Sequence, residues 1–145
     1  MDTKLKSDIA ESAVITELLK KGLRVLKPIG DRLPYDLAVD LGGRLMRIQE
    51  KSAWFDDSQK AHIVDVRRTK TNRRRMCRSC YSKQDFDFAI LYIENRHAFY
   101  VMPITVFVSF KSSISLIEDN KRQRKPKSAA YREAWHLLSS GPLDR

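Results

Sequence analysis

Cysteine and histidine are scarce in this chain of 145 residues. The two cysteines, Cys77 and Cys80, form a single CxxC pair, and the three histidines lie far apart, whereas a structural zinc site needs four clustered ligands. Free thiols in a reducing compartment are therefore the preferred interpretation. The chain also lacks an apolar run near the roughly 18 residues of a membrane-spanning helix, and its first residues lack the apolar core of a signal peptide. We expect a cytoplasmic protein without a membrane partner.

Acidic residues are few relative to basic ones. The chain has 18 Asp and Glu against 28 Lys and Arg, which gives a formal net charge of +10. The hydrophobic fraction of 42% and the aromatic fraction of 9% are ordinary for a folded protein, so the excess charge does not indicate disorder. A compact protein with this charge is expected to bind a polyanion, and nucleic acid is the favoured one. The length fits one domain, residues 1–145.

The apolar pattern predicts a chain of alternating helices and strands. Ser7 or Asp8 is expected to cap a first helix that ends at Gly22. Alternation and β-branched content predict strands at 23–26, 35–40, 44–53, 62–66, 86–93 and 98–102, with an ambiguous strand at 113–117. Pro103 is expected to start a short helix, and a last helix is expected at about 128–138.

Gly42-Gly43 predicts a two-residue hairpin turn, because such a turn needs positive φ at both positions. If Leu41 pairs with Arg44, then Asp36 lies opposite Gln49, with about 5 Å between Cβ atoms. The apolar residues then share one face: Leu37, Val39, Met46 and Ile48. The other face carries Asp36, Gln49 and Lys51.

These three polar residues can form a hydrolytic site for phosphodiesters. The carboxylate of Asp36 and the amide oxygen of Gln49 are hard ligands suited to Mg²⁺, which commonly shares its shell with substrate phosphates. The Lys51 ammonium can orient or deprotonate an attacking water and offset charge that develops on the phosphorane. The alternative is an ordinary solvated pair on the polar face of a hairpin.

Pro34-Tyr35-Asp36 followed by Gln49-Glu50-Lys51 on the next strand resembles the PD-(D/E)-XK motif of restriction-type nucleases. Glu11 in the first helix fills the family's first position. The run from Glu11 to Lys51 is similar to the bacterial homing endonucleases of this fold that group I introns encode. The resemblance implies an α/β fold of the α+β, mixed-sheet kind, in which a restriction endonuclease-like core has an N-terminal helix, a central mixed β-sheet and flanking helices.

The resemblance also implies the active site and the assembly. It assigns catalysis to Glu11, Asp36, Gln49 and Lys51. It places Mg²⁺, with Mn²⁺ as a possible substitute, on Asp36, the Gln49 side chain and the backbone carbonyl of Glu50. It implies a dimer of dimers, and a two-fold dimer is the minimum for cutting both strands of a duplex.

This sequence departs from the motif at two positions. Gln49 stands where an acid is usual, and because a neutral amide is the poorer ligand we expect a modest metal affinity. The register directs Glu50 to the apolar face, where burial of an unpaired carboxylate is costly. Either Glu50 reaches solvent at the strand end, or the register slips by one and Glu50 becomes the acidic ligand, although the apolar pattern disfavours a slip.

Two basic segments are expected to contact DNA: a loop at about 67–78 and a second run at 121–127. The residues expected to bind are Arg67, Arg68, Lys70, Arg73, Arg74, Arg75, Arg78, Lys121, Arg122 and Arg124. Most residues of such segments contact phosphates, and a minority reach base edges.

The sequence therefore predicts a metal-dependent, site-specific endonuclease that makes double-strand breaks in DNA. Two alternatives stay open at this point. One is a non-catalytic basic protein that binds nucleic acid, and the other is a Holliday-junction resolvase or restriction enzyme on the same fold.

Overall fold

This computed structural model describes residues 2–71, 76–119 and 125–139 of the chain. The described residues contain three α-helices and ten β-strands. They are α1 (Thr3–Lys20), β1 (Arg24–Leu26), β2 (Leu37–Asp40), β3 (Leu45–Ser52), β4 (Trp54–Asp56), β5 (Ala61–Asp65), β6 (Arg68–Thr71), β7 (Met76–Ser79), β8 (Phe88–Ile93), β9 (Ala98–Pro103), α2 (Ile104–Ser109), β10 (Ser113–Leu116) and α3 (His136–Ser139). Two 3-10 helices cover Glu94–Arg96 and Lys127–Tyr131. None of the helices in the described residues is both long enough and apolar enough to cross a membrane.

Helix α1 begins about one and a half turns before its predicted start. Asp2 is the N-cap, and its side chain accepts the backbone N–H of Lys4 at 2.8 Å. The prediction of a cap at Ser7 or Asp8 is therefore wrong, because Asp2 already satisfies a free N–H of the first turn. Gly22, with φ at +79°, follows the helix as predicted.

The central sheet has the strand order β1-β2-β3-β8-β9. Strands β3 and β8 run parallel, while the other neighbouring pairs are antiparallel, so the predicted mixed sheet is confirmed. Strands β10, β5 and β4 form a second sheet, and β6 and β7 form a two-stranded ribbon.

The β2–β3 hairpin has the predicted register. Leu37 pairs with Ile48 and Val39 pairs with Met46. Gly42 and Gly43 have φ angles of +75° and +99°, which residues that carry a Cβ atom rarely adopt. The turn therefore determines which residues of the two strands lie opposite each other.

Each face of the central sheet is covered by a separate layer. On one face, Val14 and Leu18 of α1 pack with Ile48 of β3. On the other face, α2 and the second sheet contribute Phe107 and Ile114 to a second apolar cluster. Because successive side chains of a strand point to opposite faces, neighbouring residues of β3 reach different layers.

Two predicted segments differ from the structure. Residues 67–78 were expected to form a loop, but β6 and β7 pair within them. The helix predicted at 128–138 is wrong over most of its length. The Glu133 backbone N–H donates to the Phe99 carbonyl at 2.7 Å, and Tyr100 and Arg132 form a β-bridge. This segment thus gives its hydrogen bonds to β9 instead of to a helix.

Candidate active site

A cavity of about 470 Å³ opens beside the first turns of α1 and the C-terminal end of β3. Its lining includes Ser7, Asp36, Gln49, Glu50, Lys51 and Trp54. Three of the four predicted catalytic residues therefore share one cavity. The fourth, Glu11, lies on α1 one helical turn after Ser7.

Asp36 is held by β3 through two hydrogen bonds. Its backbone N–H donates to the Ile48 carbonyl at 2.9 Å, and its Oδ2 accepts the Glu50 N–H at 3.1 Å. Burial raises the pKa of Asp36, although the bond from the Glu50 N–H favours the charged carboxylate. Asp36 is thus an oriented carboxylate in a partly desolvated position.

Gln49 and the Glu50 backbone lie next to each other. The Gln49 Nε2 donates to the Glu50 carbonyl at 3.4 Å. The side chain and the carbonyl that were both predicted to bind a metal are therefore brought together beside Asp36.

The Glu50 side chain matches neither of the two arrangements expected for it. The register holds, yet the side chain is only 6% exposed and faces α1, where Ser7 Oγ donates to its Oε1 at 3.4 Å. Its Oε2 is buried without a hydrogen-bond partner. Burial, and then the charges of Asp36 and Glu11, raise the pKa of Glu50 to about 8. Glu50 is therefore a carboxyl group held in the wall of the cavity.

Glu11 is paired with a residue that the sequence did not indicate. The Lys27 ammonium donates to Glu11 Oε1, and this contact raises the pKa of Lys27. Glu11 also contributes to the raised pKa values of Asp36 and Glu50, so these three carboxyl groups interact electrostatically.

Lys51 extends to the opposite side of the sheet from Glu50. Its Nζ donates to the Arg67 carbonyl at 3.3 Å and lies 5.2 Å from the centre of the Tyr81 ring. Burial lowers the pKa of Lys51, while the carboxylates of Asp65 and Asp36 act in the opposite direction. A lysine in these surroundings gives up its proton more readily than a solvated one.

The PD-(D/E)XK endonuclease family matches residues 1–138. The chain belongs to this family. It is also similar to a solved structure, the bacterial homing endonuclease I-Ssp6803I, with 53% sequence identity over 97% of this chain and 95% of that chain, and with a TM-score of 0.90. No curated protein matches significantly. The predicted restriction endonuclease-like fold and the predicted endonuclease activity are thereby confirmed.

The cavity of this PD-(D/E)XK endonuclease has the donors that a divalent cation requires. Asp36, the Gln49 amide and the Glu50 carbonyl are hard oxygen donors, and the unpartnered Glu50 Oε2 is a further buried one. Within the described parts of the chain, no three His, Cys, Asp or Glu side chains converge on one point. A cation bound here would thus use amide and backbone oxygens, and water, as well as carboxylate.

The basic residues predicted to bind DNA are only partly within the described structure. Arg68 and Lys70 belong to β6 and Arg78 to β7, and the Arg67 Nε lies 3.4 Å from Asp65 Oδ1. The other predicted contacts lie outside the described residues: Arg73, Arg74, Arg75, Lys121, Arg122 and Arg124.

The residues that contact the candidate site and that sequence reasoning missed include Ser7, Lys27 and Tyr81. Ser7 could have been found, because it lies four residues before Glu11 and thus on the same face of a helix. Lys27 and Tyr81 reach the site from loops, and no spacing in the sequence connects them with Glu11 or Lys51.

Proposed function

We propose that this endonuclease is a site-specific homing endonuclease that hydrolyses phosphodiester bonds of duplex DNA with Mg²⁺, Mn²⁺ being a substitute. One observation carries the proposal: Asp36, Gln49, Glu50 and Lys51 line a single cavity open to solvent. The net charge of +10 supports a polyanionic substrate. The similarity to I-Ssp6803I supports homing as the biological context.

The residues of the cavity have distinct roles in this proposal. Asp36, Gln49 and the Glu50 carbonyl would hold the cation, which when bound supplies Lewis acidity to the scissile phosphate. The Glu50 N–H keeps the Asp36 carboxylate in one orientation. Lys51 orients the attacking water and stabilises the negative charge that develops on the phosphate oxygens.

Glu11 has a supporting role in the proposed reaction. Its carboxylate adds negative charge close to Asp36 and Glu50, which favours a divalent cation in the cavity. Lys27 offsets part of that charge by pairing with Glu11. We propose that Lys27 and Lys51 together limit the repulsion between the carboxylates and the DNA phosphates.

We propose that the β6–β7 ribbon contacts the duplex. A two-stranded ribbon fits the major groove, where the four base pairs present different patterns of donors and acceptors. The residues proposed to contact DNA are Arg67, Arg68, Lys70, Arg73, Arg74, Arg75 and Arg78, with Lys121, Arg122 and Arg124 in the second basic segment. This arrangement would place sequence recognition next to the cavity, because Arg67 also contacts Lys51.

We propose that residues 1–145 act as one domain and that the chain assembles as a dimer or a dimer of dimers. Each chain supplies one cavity, so two copies are needed for a double-strand break. Leu26 of β1, and Ile29 and Leu33 of the loop that follows it, are exposed apolar side chains, and such residues favour contact between copies. Light scattering coupled to gel filtration would measure the assembly. A cytoplasmic location is part of the proposal, because the substrate is chromosomal or plasmid DNA.

The decisive experiment is cleavage of a long randomised or genomic duplex with Mg²⁺, with Mn²⁺ and with EDTA, followed by sequencing of the fragment ends. We expect breaks at one discrete sequence that depend on the cation. A four-way junction of the same sequence serves as the competing substrate for a resolvase. Breaks that persist in EDTA, or exclusive cutting of the junction, would contradict the proposal.

A further inference from the structure

The two ends of the β6–β7 ribbon meet at the Lys51 ammonium. Arg67 directly precedes β6, and its carbonyl accepts from Lys51 Nζ at 3.3 Å. Tyr81 follows β7, and its ring centre lies 5.2 Å from the same Nζ. We call Arg67 and Tyr81 the ribbon neck. The catalytic lysine proposed above is therefore held by the base of the element proposed to bind DNA.

The Tyr81 ring is a fixed partner for the lysine. Its side chain is buried, and its ring packs edge-on against Phe86 with centroids 5.1 Å apart and a 78° angle between the planes. Phe107 lies 6.0 Å from Tyr81 and 5.7 Å from Phe86, which completes a three-ring cluster. Because the ring is packed on several sides, the lysine has to adapt to the ring.

Both groups of the neck that contact Lys51 are neutral. A carbonyl dipole and the negative face of an aromatic ring attract an ammonium without cancelling its charge, unlike a direct ion pair. The carboxylates of Asp65, Asp36 and Glu50 attract it at longer range. The neck can therefore hold the ammonium in place and leave its charge available to a phosphate oxygen.

We propose that the ribbon neck positions Lys51 for the cleavage step, with Tyr81 as the positioning residue, and that the ribbon thereby links DNA binding to the placement of the catalytic lysine. This inference rests on the proposed function of Lys51. It adds a residue, Tyr81, that lies outside the PD-(D/E)XK motif.

The inference is tested by reducing the negative charge on the face of the residue-81 ring in steps, while an aromatic side chain is kept at that position. Tyr81→Phe is the reference, and the same position is then filled with phenylalanines that carry one, two or three ring fluorines, which withdraw electrons from the ring face at nearly constant size. A cation–π contact of this kind accounts for a change of about tenfold in rate. We expect the single-turnover cleavage rate to fall stepwise to about one tenth, while the affinity for target DNA in Ca²⁺ changes by less than about threefold.

The matched control is Phe107→Leu, which disturbs the same three-ring cluster without touching Lys51. We expect it to lower the melting temperature yet retain the cleavage rate at temperatures where the protein is folded. A constant rate across the fluorinated series would overturn the inference, and so would an equal loss of rate in Phe107→Leu. Cleavage by the wild type is measured first, and its absence would contradict the proposed function itself. If the wild type cleaves but the cleavage rate is the same in all fluorinated variants, only the role of Tyr81 is contradicted.

Discussion

The backbone N–H of Glu50 donates to Oδ2 of Asp36 at 3.1 Å. Through this bond, β3 determines the orientation of a carboxylate that lies just before β2. The bond requires the hairpin register set by Gly42 and Gly43, so the turn at the far end of the hairpin helps to place the candidate metal ligand.

Asp36→Asn is expected to reduce cleavage by about 100-fold or more, because it removes the charged ligand. The Asn side-chain oxygen still accepts the Glu50 N–H, so folding and DNA binding should be retained. The measurement is nicking and linearisation of a supercoiled plasmid that carries the mapped target. Asp40→Asn is the control, since Asp40 accepts the Gly42 N–H at the other end of the hairpin. Wild-type nicking by Asp36→Asn would refute the assignment.

Glu50→Gln is expected to stabilise the protein at pH 8 by up to a few kcal/mol. The pKa of Glu50 is about 8 in the folded state, whereas a solvated glutamate side chain has a pKa of 4.5. Folding therefore favours the protonated form of Glu50. Wild-type stability should therefore fall as pH rises from about 4.5 to about 8, whereas the variant lacks this loss.

Urea unfolding in EDTA at several pH values across this window measures the difference between wild type and Glu50→Gln. The difference in free energy of unfolding between the two proteins should disappear below pH 4.5, where Glu50 is protonated in both the folded and the unfolded state. Asp57→Asn is the control. Asp57 is exposed, so this substitution removes one charge without changing the cavity. A gap that is independent of pH would show that the charge of Glu50 is not its cause.

Lys51→Met is expected to abolish cleavage and to raise the melting temperature. Burial lowers the pKa of Lys51, so the folded state disfavours the charged form, and a buried methionine of similar length avoids this cost. The gain should be on the order of 1 kcal/mol. It should be constant below the folded-state pKa of Lys51 and should shrink as pH rises from that pKa to the unfolded value of 10.5, because wild-type Lys51 loses its charge first in the folded state. Differential scanning calorimetry beside a cleavage assay measures both effects, and a variant that cleaves normally would exclude Lys51 from the reaction.

Replacing Arg73, Arg74 and Arg75 together with Ala is expected to weaken DNA binding and to reduce the slope of log K against log salt by up to about three units. The affinity is measured by fluorescence anisotropy over a series of salt concentrations. The control is a double variant, Lys20→Ala with Lys21→Ala, which removes two charges that pair with Glu17 on α1. A slope that stays constant in the arginine variant would exclude contacts between these arginines and phosphates.

The sequence predicted the parts of the site that depend on local geometry. A two-residue glycine turn and strict alternation together determine the hairpin register, so the pairing of Leu37 with Ile48, next to Asp36, follows from neighbouring residues alone. Contacts between distant segments were not predictable in this way. Lys27 reaches Glu11 and Tyr81 reaches Lys51 only because separate layers pack together.

The ribbon and the C-terminal segment show why other elements were missed. In residues 67–78, the dense positive charge hides the alternation that marks a strand. Near the C-terminus, Arg132 donates to the buried Glu118 carboxylate at 2.9 Å, and Tyr100 donates to the same carboxylate. Such a network fixes the segment against β9 and outweighs its local preference for helix.

The parallel pairing of β3 with β8 bears on when the nuclease becomes active during synthesis. A parallel pair cannot be closed by a tight turn, so residues 53–87 must leave the ribosome before β3 acquires its second neighbour. Until then the strand that carries Gln49, Glu50 and Lys51 has one unpaired edge. A nascent chain is therefore expected to be harmless to the DNA around it until β8 has been made.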